Sequence, residues 1–249
     1  MKRPFHDVPP FLQASVSPAE RRVALVVGNG RYAAEKDVLT NPPNDARGMA
    51  EKLTAMGFFG VSASGDDFKV DFSTAGVPAL IDLDQKRLGK ALAALARATD
   101  GVRQAVIYCA GHGIEVAGEN YLIPIDAGLA HIRDAEFETQ PLSRVLRTIE
   151  GATGLRLVIL DACRNNPFRA RLFGNRDASG GLRGIEPPSN ILVAYAAKHG
   201  MFAADGKAGN NSPFATALLK HVATPGLEVL DLFREVKDDV LDATDRAGR

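Results

Sequence analysis

The chain contains one cysteine and one histidine that each follow an apolar run. Residues 155–160 are almost entirely aliphatic and lead to Cys163, and residues 102–108, which are mostly apolar, lead to His112. In α/β proteins, reactive groups gather beyond the carboxyl ends of buried strands. A thiol is an effective nucleophile only as the thiolate, and a neighbouring imidazole can take its proton. The two residues therefore predict covalent catalysis by a cysteine with a histidine as its base.

The bulk composition favours a folded domain without a nucleic-acid partner. The 249 residues are 45% hydrophobic, which is enough for a substantial core. Lys plus Arg and Asp plus Glu both number 30, so the formal net charge is zero. A strongly basic field of the kind that attracts nucleic acid is therefore absent.

The two cysteines, Cys109 and Cys163, are too few for a disulfide framework. One bridge between them stays open as an alternative, because both are expected at neighbouring strand ends; otherwise Cys109 is a small buried hydrophobe. No apolar run approaches the ~18 residues of a membrane span, and the start lacks the apolar stretch of a signal peptide. We therefore expect a cytoplasmic protein that does not enter a membrane.

Hydrophobic periodicity predicts strands that alternate with helices. The predicted strands are 22–27, 102–109, 155–160 and 190–196, with a hairpin strand at 121–125. The predicted helices are 45–53, 88–95, 141–150, 213–222 and 227–241. Residues 57–84 are expected to hold a short strand near 59–61 and then an irregular insertion. This alternation predicts an α/β fold with a mostly parallel central sheet and helices on both faces.

Several short stretches together resemble one known family. They are Val23–Asn29, Asn44-Asp45-Ala46, Gly118–Pro124, Asn211–Phe214, Gly111-His112-Gly113 and Asp161–Asn166, with His112 preceding Cys163 by 51 residues. In this order they are similar to bacterial metacaspases or orthocaspases, which are peptidases of the caspase superfamily. The resemblance runs from about Arg21 to Asp242 and implies a caspase–haemoglobinase fold.

The resemblance implies a role for each residue of the pair. Cys163 matches the family's nucleophile, and His112 matches the general acid and base that protonates the leaving amine. The backbone N–H groups of Gly113 and Cys163 match the positions that stabilise the oxyanion. No orienting carboxylate and no metal ligand is assigned. No cofactor is required, although some metacaspases need calcium and no clear calcium motif is present here.

Substrate preference follows from the same resemblance, because metacaspase-like enzymes cut after Arg or Lys. Asp161 and Asp45 match the acidic positions of the S1 pocket, where a carboxylate would pair with the basic side chain. The alternatives are that Asp161 caps a backbone turn and that Asp45 is a helix N-cap. Metacaspases often carry Ser two residues before the histidine. Here that residue is Ala110, so a pocket hydroxyl is lost.

The expected domain organisation is a flexible extension, residues 1–20, and a peptidase domain, residues 21–249. Within the domain, 21–168 would be a large-subunit-like part, 169–189 a linker and 190–249 a small-subunit-like part. The candidate self-cleavage positions in and near the linker are Arg169, Arg171, Arg176 and Arg183. Self-cleavage would suit a mobile segment; the alternative is a solvated basic loop.

The predicted function is a cysteine endopeptidase that acts on peptides or proteins with a basic P1 residue. An alternative from another class is a caspase-like pseudoenzyme or signalling module that binds partners without turnover. A third possibility is a different cysteine hydrolase on a flavodoxin-like sheet, which fits the strand order less specifically.

Overall fold

The computed structural model describes residues 16–33, 37–163, 168, 172, 182–188, 190–196 and 209–247. For Cys163 and for residues 244–247 it describes the main chain only. Most of the predicted N-terminal extension and of the predicted linker therefore lies outside the described residues. The division into large-subunit-like, linker and small-subunit-like parts stays a prediction.

The described residues form an α/β fold. The strands are β1 (Arg22–Gly28), β2 (Phe59–Ser64), β3 (Asp67–Val70), β4 (Ala79–Ile81), β5 (Gln104–Val116), β6 (Glu119–Leu122), β7 (Gln140–Pro141), β8 (Leu155–Cys163) and β9 (Ile191–Tyr195). The helices are α1 (Pro42–Ala55), α2 (Gln85–Ala98), α3 (Ala135–Glu138), α4 (Leu142–Arg147), α5 (Pro213–His221) and α6 (Val229–Ala247). Short 3₁₀ helices span Pro18–Glu20 and Ile132–Asp134.

The centre of the sheet is parallel. β1 pairs with β5, β5 with β8 and β8 with β9, while β2 and β4 pair with different parts of the other edge of β1. The chain thus adds β2 and β4 on one side of β1 and then continues on the other side with β5. In open α/β sheets the carboxyl ends of strands beside such a reversal form a crevice, which is the usual place for a functional site.

Helices cover both faces of this sheet, as the alternation of strands and helices predicts. One face packs side chains of α1, α5 and α6 against the sheet, among them Met49, Leu218 and Val236. The other face packs side chains of α2 and α4, among them Leu92 and Val145. The helices begin at clear signals: Asp84 accepts the N–H of Arg87 at the start of α2, and Ser212 with Pro213 begins α5. The α/β prediction is confirmed.

Two strands are longer than the sequence predicts, and both extend through the candidate site. β5 continues past Cys109 to Val116, and its distal part forms an antiparallel hairpin with β6. β8 continues past Leu160 to Cys163. His112 and Cys163 therefore lie within strands rather than just beyond them, because each strand finds pairing partners after its apolar run ends.

The expected irregular insertion after residue 61 is instead ordered. β2 and β3 form an antiparallel hairpin, and Ala79–Ile81 then pairs with β1 as β4. Lys86 on α2 lies 2.8 Å from Asp66 in the hairpin turn, an exposed ion pair between the two elements. The strands were hard to predict because each is short and only half buried.

The alternative of a bridge between the two cysteines is wrong. Cys109 is a free, buried thiol, and it lies opposite Leu160 in the β5–β8 ladder, whereas Cys163 lies opposite His112. Three residues along a strand span about 10 Å, which exceeds the Cα separation that a disulfide allows. Burial raises the pKa of the Cys109 thiol to about 12, as expected of a structural cysteine.

In the described part of the chain, no helix combines the length and the apolar character that crossing a membrane requires.

Candidate active site

The sheet register brings the main chains of the two predicted catalytic residues together. His112 in β5 and Cys163 in β8 are direct partners in a parallel ladder that begins at Gln104 and Leu155. Neighbouring strands lie about 4.8 Å apart, so residues 51 positions apart in the sequence become adjacent. The separation in sequence is bridged by β6, β7, α3 and α4, which return the chain to the start of β8.

A backbone carbonyl fixes the orientation of the histidine. His112 Nε2 lies 2.8 Å from the carbonyl oxygen of Asp37, and His112 is buried. A carbonyl only accepts hydrogen bonds, so Nε2 must carry the proton in this contact. In the neutral ring Nδ1 is then the basic nitrogen, the one that can take or return a proton. The sequence gives no signal for this partner because it is main chain.

Tyr32, which the sequence did not mark as a site residue, contacts the same histidine. The main-chain N–H of His112 donates to Tyr32 Oη at 2.7 Å, and that hydroxyl donates to the Ile123 carbonyl at 3.3 Å. The ring centroids of Tyr32 and His112 are 4.5 Å apart, and Phe168 meets the imidazole edge-on at 5.6 Å. The three rings form a buried cluster beside the ends of β1 and β5.

Close contacts explain why glycine flanks His112 on both sides. Gly111 has a φ of 148°, and a Cβ there would lie 2.7 Å from Tyr32 Oη. A Cβ on Gly113 would lie 2.8 Å from a methyl carbon of Leu182. Both positions thus allow another group to approach the strand closely. Gly113, the predicted oxyanion residue, lies opposite Leu122 in the β5–β6 hairpin.

A small cavity of about 20 Å³ lies between the end of β1 and the middle of β5. Its lining includes Asn29, Tyr32, Ala110, His112 and Ala162. It therefore lies at the reversal point of the sheet, next to the paired main chains of the predicted nucleophile and base.

The two predicted S1 carboxylates are buried and share one neighbour. Asp45 and Asp161 are 2% and 4% exposed. The Ser212 N–H donates to Asp45 Oδ1 at 2.9 Å, and the Ser212 hydroxyl donates to Asp161 Oδ2 at 2.8 Å. The Tyr108 hydroxyl also donates to Asp161 Oδ2, at 3.1 Å. Burial and the neighbouring Asp161 hold the pKa of Tyr108 well above its usual value, so the phenol remains a donor.

The N-cap alternative for Asp45 is wrong, because Asp45 lies in the first turn of α1 and the N-cap residue of that helix is Asn41. Asp161 lies inside β8 opposite Ala110, and the alternative that it also caps a turn stays a prediction. Strand alternation places Tyr108 and Ala110 on the same face of β5, the face that packs against α1 and α5. Ala110 provides no hydroxyl to Asp161, whereas Tyr108 and Ser212 do.

Ser212 lies in the Asn211–Phe214 stretch of the family resemblance, and the structure shows that it begins a helix. Its hydroxyl accepts the N–H of Ala215 at 2.9 Å, which is the expected N-cap bond before Pro213. Since a hydroxyl has one hydrogen, the same group then donates to Asp161. The segment before it is held to α1, because Gly209 N–H donates to Asn41 Oδ1 at 2.9 Å and Asn44 Nδ2 donates to the Gly209 carbonyl at 2.7 Å.

Of the four candidate self-cleavage arginines, the structure describes one. Arg183 is exposed, but its main chain is bound on both sides by the buried side chain of Asn120. Arg183 N–H donates to Asn120 Oδ1 at 2.8 Å, and Asn120 Nδ2 donates to the Arg183 carbonyl at 2.6 Å. Arg169, Arg171 and Arg176 lie outside the described residues.

Among the described side chains, no group of three or more His, Cys, Asp or Glu residues is arranged to hold a metal ion. The carboxylates of the site, Asp45 and Asp161, instead accept hydrogen bonds from Ser212.

Similar sequences and structures agree with this architecture. The chain is 26% identical over 182 residues to mucosa-associated lymphoid tissue lymphoma translocation protein 1 of Homo sapiens, and equally to its Mus musculus homologue. These matches cover 73% of this chain but 19% of each relative, so the chain spans about a fifth of the length of these relatives.

Two solved structures share the fold. The Drosophila initiator caspase Dronc superposes with a TM-score of 0.59 at 12% identity, covering 90% of this chain and 74% of that one. Pro-sf-caspase-1 superposes with a TM-score of 0.52 at 15% identity, covering 91% of this chain and 80% of that one. At these identities the likeness concerns the fold alone.

The broadest match is to a family profile. The profile described as "Caspase domain" matches residues 21–248, which is nearly the whole chain. It includes the His112–Cys163 ladder and the Asp45–Asp161–Ser212 cluster described above. The chain therefore belongs to the caspase-domain family, whose members are cysteine peptidases.

Proposed function

We propose that this chain is a cysteine endopeptidase that hydrolyses peptide bonds after Arg or Lys, with Cys163 as nucleophile and His112 as general acid and base. The observation that carries the proposal is the β5–β8 register, which pairs His112 with Cys163 and places buried Asp161 two residues earlier on the same strand. Membership of the caspase-domain family supports the reaction class.

In the proposed reaction His112 acts first as a general acid and then as a general base. The Cys163 thiolate attacks the scissile carbonyl carbon, and the π electron pair moves to the oxygen, where the N–H groups of Gly113 and Cys163 donate to it. Protonated His112 gives the Nδ1 proton to the leaving amine as the C–N bond breaks. Neutral His112 then takes a proton from water, whose oxygen attacks the thioester, and the C–S bond breaks to restore the thiolate. The Asp37 carbonyl holds Nε2–H throughout.

The proposed preference for basic side chains rests on the buried carboxylate pair. Asp45 and Asp161 both bind Ser212, so they belong to one polar cluster between β8, α1 and α5. A buried carboxylate is costly unless it is hydrogen-bonded or paired with a cation. A guanidinium or ammonium group in this position would supply the cation, and Arg can bind carboxylates through two parallel hydrogen bonds.

A panel of fluorogenic peptides that differ only at P1 tests the proposal. We expect turnover of Arg and Lys substrates, no turnover of the matching Asp substrate, and no turnover by the Cys163→Ala variant. The assay is run with added calcium and, separately, with a chelator, because the proposed chemistry requires no metal. Absence of turnover of Arg and Lys substrates under both conditions would contradict the proposed function.

We also propose that the enzyme cuts itself within the predicted linker. The hydrogen bonds from Asn120 to the Arg183 main chain protect the bond after Arg183, because its carbonyl must be released before attack. Intact mass spectrometry of wild type and Cys163→Ala, incubated in parallel, tests this. We expect wild-type fragments that end at Arg169, Arg171 or Arg176 and an intact variant. Identical intact masses would refute self-cleavage.

A further inference from the structure

We propose that Tyr32 is a positioning residue for His112, an inference that rests on the function proposed above. The Tyr32 hydroxyl accepts the main-chain N–H of His112 where β1 no longer pairs with β5, and the Tyr32 ring packs against the imidazole. The contacts are the 2.7 Å hydrogen bond from His112 N–H to Tyr32 Oη and the 4.5 Å separation of the two ring centroids.

The need for this hydroxyl arises where β1 ends. Along β1 and β5 the parallel ladder runs from Arg22–Gln104 to Gly28–Ala110, and Asn29 N–H still donates to the Ala110 carbonyl at 2.9 Å. On this edge of β5, the next N–H belongs to His112. The chain turns at Gly30, and the structure directs that N–H to Tyr32 Oη. A buried N–H without a partner would be costly.

The hydroxyl also connects His112 to a second strand. Tyr32 Oη donates to the Ile123 carbonyl, and Ile123 N–H donates back to the His112 carbonyl at 3.0 Å. Asn29 Nδ2 supports the same Ile123 carbonyl at 3.4 Å. Both main-chain groups of His112 are therefore held, one by a tyrosine side chain and one by the segment after β6.

Positioning of the main chain determines where the imidazole can point. The ring of His112 lies against Tyr32, with Phe168 at its edge, while Nε2 is held by the Asp37 carbonyl. Loss of the hydroxyl would let the segment around Gly111 shift, because Gly111 leaves room for close approach on the Tyr32 side. Small displacements of a general base lower the rate much more than they lower substrate binding.

The first test compares Tyr32→Phe with a matched control, Tyr121→Phe. Tyr121 belongs to the same apolar cluster as Tyr32, so its variant removes a hydroxyl nearby without touching the His112 N–H. With an Arg substrate, we expect kcat of Tyr32→Phe to fall about tenfold, the effect of one ordinary hydrogen bond, with KM changed less than about twofold. Tyr121→Phe is expected to match wild type. Equal kcat in wild type and Tyr32→Phe, or equal losses in both variants, would overturn the proposal.

The second test does not require turnover, so it separates failure of this inference from failure of the proposed function. Cys109 is buried with its pKa raised to about 12, so iodoacetamide between pH 5 and 9 reports on the other cysteine. We expect the pH of half-maximal alkylation to rise in Tyr32→Phe, because a displaced imidazolium stabilises the thiolate less. An unchanged pH profile would refute the positioning role even if no peptide is cut.

Biosynthetic replacement of the four tyrosines by 3-fluorotyrosine retains each ring and hydroxyl while weakening the hydroxyl as an acceptor, so it tests the contact without removing it. We expect an upward shift of the alkylation profile in the wild-type background and none in the Tyr32→Phe background. The same shift in both backgrounds would overturn the proposal.

Discussion

His112 on β5 and the carboxylate pair, Asp161 on β8 and Asp45 on α1, are held in different ways. His112 is held by a backbone carbonyl, a tyrosine hydroxyl and two aromatic rings. Asp45 and Asp161 both accept hydrogen bonds from Ser212, which uses its main-chain N–H for one carboxylate and its hydroxyl for the other, and Asp161 also accepts one from Tyr108. The proposed chemical centre is thus fixed from several elements, whereas the two carboxylates of the proposed specificity pocket share the start of one helix.

This difference has a consequence for how the two regions respond to mutation. Contacts to His112 come from the segment after β1, the segment after β6 and the segment that contains Asp37, so loss of one contact leaves the others in place. Ser212 has no such redundancy among the contacts described, because it caps α5 and also binds Asp161. We therefore expect changes at Ser212 to affect stability and substrate preference together.

The largest effect is expected at the reacting pair. Cys163→Ala and His112→Ala should each lower kcat/KM for an Arg substrate by about 10⁴-fold, because neither proton transfer nor acyl transfer proceeds without the pair. Cys109→Ala is the matched control, since it removes the other thiol. It should keep turnover while lowering the free energy of unfolding by about 1 kcal/mol through lost packing. Retained turnover in Cys163→Ala would exclude the assigned nucleophile.

The next effect concerns the charge of the pocket. Asp161→Asn keeps the shape and a hydrogen-bond acceptor for Tyr108 and Ser212 but removes the charge. We expect kcat/KM for an Arg substrate to fall about 10²- to 10³-fold, the cost of an uncompensated buried charge. The matched substrate carries citrulline, an uncharged analogue of Arg, at P1. Its kcat/KM should change by less than about threefold.

Asp45→Asn extends this comparison to the second carboxylate. We expect a loss in the same direction for the Arg substrate but smaller, about tenfold, because Asp45 lies on α1 while Asp161 shares β8 with Cys163. The ratio of kcat/KM for the Arg and citrulline substrates is the measurement. If Asp45→Asn changes both substrates equally, Asp45 supports the fold rather than the recognition of charge.

The sequence points to the side chains of the carboxylate region more readily than to the partners of the histidine. Asp45, Asp161 and Ser212-Pro213 lie in stretches that resemble the family, so the resemblance draws attention to them. The partners of His112 are harder to find. Asp37 acts through its carbonyl, which any residue possesses, and Tyr32 acts through a hydroxyl in the segment between β1 and α1, whose path local sequence does not reveal.

The same contrast holds for the fold. The buried strands 22–27, 102–109 and 155–160 were predictable because largely apolar runs mark strands covered on both faces. The extension of β5 to Val116 was not, because polar and glycine residues continue the strand only through pairing with β6 and β8. Long-range pairing of this kind is not encoded in local periodicity.

A smaller effect is expected at the shared helix start. Ser212→Ala removes both the α5 cap and the donor to Asp161, so we expect about 1 kcal/mol lower stability and about tenfold lower kcat/KM for the Arg substrate. Asp84→Ala is the matched control because Asp84 caps α2, which packs on the opposite face of the sheet from α5. It should lose similar stability by thermal melting while keeping its kcat/KM. Equal loss of activity in both variants would show that stability alone is responsible.

The smallest effect is expected from returning a hydroxyl to the pocket. Ala110 lies opposite Asp161 in the β5–β8 ladder and is buried, so a serine there would place its hydroxyl within reach of the carboxylate. A hydroxyl that finds this partner costs little stability, whereas one without a partner costs about 1–3 kcal/mol. We therefore expect Ala110→Ser to keep its melting temperature and to raise the Arg-to-citrulline ratio of kcat/KM about threefold. A lower ratio with unchanged melting would mean that Tyr108 and Ser212 already supply the donors that Asp161 can use, and that a third hydroxyl competes with the substrate for the same carboxylate oxygens.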